Sequence, residues 1–102
     1  MSKRYFMVRV IFNKPITGPH LVELINATIA KCFGEMGAAS INLQFIRYDL
    51  KNAEAVVACE KSMSNQLLTA LAFVQTTDGQ PISLLAVRVS GTIRGLLRPR
   101  SY

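Results

Sequence analysis

The 102-residue chain has few of the side chains that enzymes use for acid–base chemistry. It contains one histidine, and its six acidic residues stand apart from one another along the chain. Nucleophilic catalysis needs a base beside a serine or cysteine, and two-metal hydrolysis needs clustered carboxylates. The sequence therefore predicts no catalytic residue and no metal site, and we interpret His20 as an exposed side chain in the first turn of a helix.

Long apolar runs and a secretory signal are also absent. No run approaches the ~18 apolar residues that a membrane helix needs, and no apolar segment with a small-residue cleavage site occurs before Arg9. Cys32 and Cys59 lie within apolar patterns, which favours buried thiols over a disulfide or a metal pair. We therefore expect a soluble, cytoplasmic protein without membrane contact, or a nuclear or nucleolar one if the source is eukaryotic.

The positive charge lies at the two ends of the chain, and the net charge is +6. Residues 1–14 and 88–102 each carry four bases and no acid, whereas residues 15–87 carry four bases and six acids. The three segments therefore contribute +4, +4 and −2. If the two ends meet in the fold, they form one basic patch, which is the electrostatic footprint of nucleic-acid binding.

Periodicity predicts a strand and then a helix in the first part of the chain. In residues 5–12 every second residue is apolar, and the residues between them include both polar and apolar types. This pattern is typical of a strand with one buried face. Thr17 is the predicted N-cap of the helix that follows, with Pro19 in its first turn. Gly34 and Gly37 are predicted to end this helix, and we expect at least one of them to have a positive φ.

The rest of the chain predicts a hairpin, a second helix and a last strand. Residues 41–46 and 53–60 are the predicted strands of the hairpin. The second helix is predicted to begin at a Ser62 or Ser64 cap and to end near Gln75. The last strand is predicted over residues 82–89, with its inward side chains at Leu85, Val87 and Val89.

The element order β-α-β-β-α-β predicts an α+β fold of the ferredoxin-like class, forming one RNA-binding domain over residues 1–102. Right-handed crossovers give a four-stranded antiparallel sheet in the order 4-1-3-2, with both helices on one face. The first and last strands are then neighbours, which brings the two basic ends together. The alternation also places Arg9 and Arg88 on the face away from the helices.

The segment Ser90-Gly91-Thr92-Ile93-Arg94-Gly95 follows the last predicted strand and enters a short helical tail. A serine or threonine hydroxyl and free backbone N–H groups at a helix start make a ready anion site. We interpret residues 91–93 as a phosphate site to which Arg94 adds charge. An ordinary serine cap on a solvated basic tail, or a docking segment for a protein partner with Ile93 and Leu96 as anchors, explains the same residues.

Aromatic residues are scarce where this fold commonly stacks RNA bases, which is on the open face of the sheet. The third predicted strand has none over residues 55–59. Tyr5 and Tyr48 are candidates for that face, although packing at a sheet edge explains both. The sequence therefore predicts binding to the RNA backbone by cations and helix-terminal amides, which reads shape more than sequence.

Five short motifs occur in an order that resembles one family. They are Phe-Gly-Glu-Met-Gly-Ala-Ala at 33–39, Arg-Tyr at 47–48, Val-Val-Ala-Cys-Glu-Lys at 56–61, Ala-Leu at 70–71 and Val-Ser-Gly-Thr-Ile-Arg at 89–94. Over about residues 4–96 the chain resembles the Pop-five protein subunit of archaeal and eukaryotic ribonuclease P. Ala58 stands where that family usually has a base. The short form, without the family's N-terminal extension and most of its C-terminal helix, favours an archaeal source.

The resemblance implies a non-catalytic subunit of an endonuclease. A large RNA removes the 5′ leader of precursor tRNA with bound magnesium ions, so this chain is expected to bind no cofactor itself. The implied partners are ribonuclease P RNA, precursor tRNA and a TIM-barrel protein subunit, and a homodimer within a heterotetramer is one implied arrangement. The candidate RNA-binding residues are Arg4, Arg9, Lys61, Arg88, Ser90, Gly91, Thr92, Ile93, Arg94, Arg98 and Arg100.

Two other functions share the predicted topology. A regulatory module of the ACT type binds a small molecule and usually dimerises, but it does not need one basic edge. An acylphosphatase-like enzyme needs an arginine in the loop between the first strand and the first helix, and residues 13–18 contain none. The segregated charge therefore argues against the ACT-type module, and the missing arginine argues against the acylphosphatase-like enzyme.

Overall fold

The computed structural model describes residues 2–98, which form an α+β fold with one antiparallel sheet and two long helices on one of its faces. Arg100 lies outside the described residues. The strands are β1 (Lys3–Phe12), β2 (Gln44–Asp49), β3 (Glu54–Glu60), β4 (Thr76–Thr77) and β5 (Gln80–Ser90). The helices are α1 (Gly18–Ile41), α2 (Ser64–Phe73) and α3 (Ile93–Leu97).

The sheet has five strands in the order β2-β3-β1-β5-β4, so the predicted four strands and their exact order are not confirmed. The additional strand, β4, consists of only two residues that pair with the start of β5. A strand this short leaves no periodicity for sequence analysis to detect. β1 and β5 are neighbours, with Tyr5 opposite Ser90, and the basic ends of the chain therefore meet.

The hydrophobic core lies between the sheet and the two long helices. The alternation predicted for β1 is confirmed, since Phe6, Val8 and Val10 are buried and face the helices. Leu21 and Ile25 of α1 pack against them from the other side, with no solvent exposure. Burial of each such side chain stabilises the folded state by roughly 1.5–3 kcal/mol relative to leaving it exposed.

α1 begins as predicted but does not end where it was predicted to end. The Thr17 hydroxyl accepts a hydrogen bond from the His20 N–H at 3.3 Å, which confirms the N-cap. Gly34 leaves the helical conformation with φ +72°, and the helix then resumes until Asn42 terminates it in the left-handed region. The predicted start of β2 at Ile41 is therefore wrong, because this residue is the buried end of α1.

Gly34 and Gly37 are required for two different reasons. Gly34 has the positive φ that was expected, and a Cβ on Gly37 would collide with the Cβ of Phe33. We expect Gly34→Ala to lower the free energy of unfolding by about 1 kcal/mol or more. For Gly37→Ala we expect a loss of roughly 1–3 kcal/mol from overpacking.

Urea unfolding of both variants tests this prediction. Gly91→Ala is the matched control, since nothing lies within 4 Å of a Cβ placed there and its φ is not positive. Unfolding midpoints of Gly34→Ala and Gly37→Ala equal to that of the parent protein would show that neither glycine has a structural requirement.

α2 buries the predicted residues but begins differently. Leu67, Ala70, Leu71 and Val74 are buried, as expected. A 3₁₀ turn over Lys61–Met63 precedes the helix, and the Ser64 hydroxyl donates to the Lys61 carbonyl at 2.7 Å instead of capping α2. The predicted serine cap is therefore wrong, and the helix ends at Phe73, before the predicted Gln75.

The inward residues of β5 differ from the prediction because the strand contains a β-bulge. Leu84 is 4% exposed and faces the core, whereas Leu85 is 47% exposed and was wrongly predicted to point inward. The pairing shifts so that Val8 lies opposite Ala86 while Met7 lies opposite Arg88. The extra residue restores the predicted direction of Arg88, away from the helices.

Candidate nucleic-acid interface

The sheet face opposite α1 and α2, which we call the open face, carries two arginines in one row. Met7 of β1 is opposite Arg88 of β5 on one side and Val56 of β3 on the other, and Val56 is opposite Arg47 of β2. Residues paired in this way point to the same face. Both arginines owe this direction to bulges, one in β5 and one between Phe45 and Arg47 in β2.

α3 folds back over part of the open face. The Ser90 and Arg88 side chains lie on this face, and the Arg88 guanidinium donates a hydrogen bond to the carbonyl of Arg98, just beyond α3. Leu96 is only 1% exposed but does not belong to the main core cluster, and neither do the buried Val56 and Ala58 of the same face. Because α3 contacts β1 and β5, Leu96 is buried against these two strands on the open face.

The closing motif caps α3 through threonine. The Thr92 hydroxyl accepts from the Gly95 N–H at 2.9 Å, and the Thr92 N–H donates to the Ser90 hydroxyl at 3.3 Å. The interpretation of Ser90 as the cap is therefore wrong, and the Thr92 N–H assigned to phosphate already has a partner. A Cβ on Gly95 would collide with the Ser90 hydroxyl, which explains the glycine at this position.

α3 is short, and this limits what its N-terminus can bind. It spans five residues, so few peptide dipoles align and the field at its start is weak. Gly91 and Arg94 are exposed there. Charge at this end of the sheet therefore comes mainly from side chains. Of the two residues suggested as anchors for a protein partner, Ile93 is exposed but Leu96 is buried, which makes Leu96 unsuitable.

Three cations from distant parts of the sequence lie at the end of the sheet where α3 begins. We call Arg4, Lys61 and Arg94 the basic end. Lys61 is held there because its N–H donates to the Ser2 carbonyl at 3.0 Å, beside the start of β1. Within residues 2–98, none of the three forms an ion pair. Their positive charge is therefore available to an anionic partner.

Other predicted cations are neutralised or hold the structure together. Arg9 forms an ion pair of 3.1 Å with Glu54 and lies opposite Leu85, away from the basic end. Lys3 pairs with Glu60 at 3.1 Å, and this contact holds the pKa of the Glu60 carboxyl below its usual value. Arg9 and Arg88 were both predicted to lie on the face away from the helices, and Arg88 lies on the open face. The Arg88 guanidinium, however, donates to the Arg98 carbonyl and so holds the end of α3.

Arg47 is a cation on the open face that was not among the sequence-predicted site residues. It is exposed and forms no ion pair within the described part of the chain. Hydrogen bonds from Asn52 lower the pKa of the Asp49 carboxyl, and the charge of Arg47 adds a small effect in the same direction. Plain alternation from Gln44 would turn Arg47 toward the helices. The bulge at Ile46 turns the Arg47 side chain to the open face instead. No residue type in this strand predicts a bulge.

The aromatic residues are distributed differently from the prediction. Tyr5 is half-buried on the open face, opposite Ala58 and Ser90. Tyr48 lies on the helix side of the sheet, where its hydroxyl donates to the Ile16 carbonyl at 2.7 Å. Burial raises the pKa of the Tyr48 hydroxyl. A stacking platform that includes Tyr48 is therefore ruled out.

Histidine and the acids do not assemble into a reactive centre. His20 is half-buried instead of exposed, and its Nε2 lies 3.0 Å from the Thr77 hydroxyl, which joins the start of α1 to β4. Asp78 is 4.0 Å from the same nitrogen, so it does not orient the ring through the other one. No three metal-ligating side chains come together within residues 2–98.

The two cysteines and the helices were predicted to be buried thiols and non-membrane segments, respectively. Cys59 is buried and Cys32 partly buried, and both are free thiols. Burial raises the pKa of the Cys59 thiol. None of the helices in residues 2–98 has the length and apolar character needed to cross a membrane.

Comparison with known proteins identifies a family. The model of the Rpp14/Pop5 family matches residues 4–98. Ribonuclease P protein component 2 of Pyrococcus abyssi is 29% identical over 93% of this chain and 80% of its own length. The protein of the same name from Methanocaldococcus jannaschii is 22% identical over 99% of this chain and 79% of its own length.

A solved structure shares the fold. A chain in the cryo-EM structure of yeast ribonuclease MRP superposes with a TM-score of 0.78, covering 98% of this chain and 81% of that one. The sequence identity is 15%, so this likeness concerns the fold alone.

Proposed function

This chain belongs to the Rpp14/Pop5 family, and from this premise we propose that it is a protein subunit of ribonuclease P. In this role it assists the removal of the 5′ leader from precursor tRNA without performing the cleavage. The observation that carries the proposal is the basic end, where three cations without ion pairs within residues 2–98 lie at the same end of the sheet although two of them are 57 and 90 positions from Arg4 in the sequence. Because RNA is a polyanion, positive charge concentrated at one end of the sheet favours its binding.

The geometry supports contacts with phosphates over contacts with bases. Tyr48 lies on the helix side of the sheet, Tyr5 is half-buried, and α3 shields part of the face on which this fold commonly stacks bases. Phosphate contacts fix the position of an RNA but do not read its sequence. We therefore assign the chain a shaping role, in which it holds a folded RNA in one geometry.

The proposed partners follow from the family. They are ribonuclease P RNA, precursor tRNA and a TIM-barrel protein subunit, with magnesium held by the catalytic RNA. Exposed Ile93 beside Arg94 is suited to a contact that combines RNA and protein. The relatives named above are archaeal, and in an archaeon such a complex works in the cytoplasm.

The isolated chain is expected to cleave nothing. Within residues 2–98 it lacks a cluster of metal ligands, and its one histidine contacts a threonine in a structural position. Incubation of purified protein with precursor tRNA and magnesium should give no specific product. Addition of the RNA subunit and the other protein subunits should produce cleavage at the 5′ leader. Specific leader removal by the protein alone would overturn the proposal.

A further inference from the structure

The outer edge of β5 has no strand partner among residues 2–98 beyond its second residue. The Ile82 N–H donates to the Gln75 carbonyl at 2.9 Å, on the side of the strand away from β1. Backbone groups of successive residues alternate between the two edges of a strand. The N–H and C=O groups of Leu84 and Ala86 therefore point outward as well, and they form a template for a further strand.

An apolar groove of about 410 Å³ runs beside this edge, between β5 and α2. Leu68 and Ala72 line it from α2, and Leu84 and Leu85 line it from β5. In an antiparallel pair, opposite residues share a face. A side chain opposite Leu84 or Ala86 would therefore enter the groove, while its neighbour would cover Leu85 on the open face.

The charge along this edge distinguishes between RNA and protein as its occupant. α2 contains no charged residue, and neither does β5 from Ile82 to Val87, so this surface offers nothing to neutralise a phosphate. The two ends of the edge differ in sign. Asp78 lies in the turn before β5, whereas Arg88 and Arg94 follow at the far end. An apolar segment with an acid next to Arg94 is complementary to this arrangement.

We propose that the outer edge of β5 binds an extended apolar segment of another protein, which adds a strand to the sheet and places an acidic residue beside Arg94. Backbone hydrogen bonds to Leu84 and Ala86 provide the affinity, and the groove beside α2 selects the side chains. This surface lies apart from Arg4 and Lys61 and shares only Arg94 with the basic end, so a bound protein segment and RNA compete for that one side chain.

The test uses the full-length chain, NMR and a peptide probe. The probe is an acetylated peptide of alternating valine and threonine that ends in glutamate, and its control is the same peptide with N-methylated valines. We expect saturable binding of the probe with slowed hydrogen exchange of the Leu84 and Ala86 amides. The control peptide should give neither effect, because it cannot complete the ladder.

Two variants locate the site. Ala86→Pro removes one outward N–H but leaves the hydrogen bonds to β1 intact, and Leu68→Glu puts a charge into the groove without changing the backbone. Each should weaken peptide binding about tenfold, which corresponds to roughly 1.4 kcal/mol. Ile11→Ala, which trims an exposed apolar residue of the open face, should leave it unchanged. RNA affinity should stay at the parental value in all three variants.

Three outcomes would overturn the inference. The first is the absence of saturable peptide binding up to millimolar concentration. The second is equal binding of the N-methylated peptide, which would show a groove that recognises side chains without adding a strand. The third is protection of Leu84 and Ala86 that rises with protein concentration in the absence of peptide, which would make a second copy of this chain the occupant.

Discussion

Replacement of Arg4, Lys61 and Arg94 together by alanine is expected to lower the affinity for structured RNA about 100-fold. Each cation near a polyanionic surface contributes on the order of 1 kcal/mol, and about 1.4 kcal/mol corresponds to a factor of ten. The slope of log affinity against log salt should become less steep by about 2–3 units, because each lost phosphate contact removes nearly one released counterion. Arg94→Ala alone should change the slope by about one unit.

The matched control carries the same change in net charge at another place. Lys14, Lys31 and Lys51 are exposed and lie away from the basic end, so their triple alanine variant should lose far less affinity. Urea unfolding of both triple variants shows whether the fold is preserved, which matters because Arg4 is half-buried. Equal losses of affinity in the two variants would mean that net charge alone, and not the basic end, binds RNA.

Leu96→Ala is expected to lower the free energy of unfolding by about 2–5 kcal/mol, as truncation of a buried leucine does. Leu96 is the buried residue of α3, and the helix has little stability of its own at five residues. The variant should therefore release α3 from the open face. Its Gly95 amide, which donates to the Thr92 hydroxyl, should lose protection from hydrogen exchange.

Ile93→Ala provides the comparison within the same helix. Ile93 is exposed, so its truncation should change the free energy of unfolding by less than about 0.5 kcal/mol. Urea unfolding and hydrogen exchange measure both variants. If Leu96→Ala and Ile93→Ala were equally stable, with the Gly95 amide still protected, α3 would not be anchored to the open face by Leu96.

Patterns that repeat along the chain predicted much of the fold. The alternation of β1 identified Phe6, Val8 and Val10 as buried, and Thr17 was correctly identified as the cap of α1. Irregular features were missed because each involves a single residue. The helix continues after Gly34, and the bulges in β2 and β5 reverse the direction of side chains without any change in composition.

The candidate site was predictable in its charge but not in its contacts. The predicted strand order placed the first and last strands side by side, which brings the two acid-free chain ends together, and the pairing of Tyr5 with Ser90 confirms this. The sequence did not show that Glu54 neutralises Arg9 or that Arg88 binds the Arg98 carbonyl, because these contacts depend on cross-strand register. Arg47 was missed for the same reason.

We expect the basic end to serve ribonuclease P by holding its RNA. The most direct measurement is the rate of 5′ leader removal from precursor tRNA by the assembled complex, at limiting protein concentration, with the parent chain or with the variant that lacks Arg4, Lys61 and Arg94. We expect the variant to be far less active than the parent and to recover when its concentration is raised or the salt is lowered. A variant as active as the parent at every protein and salt concentration would contradict the account.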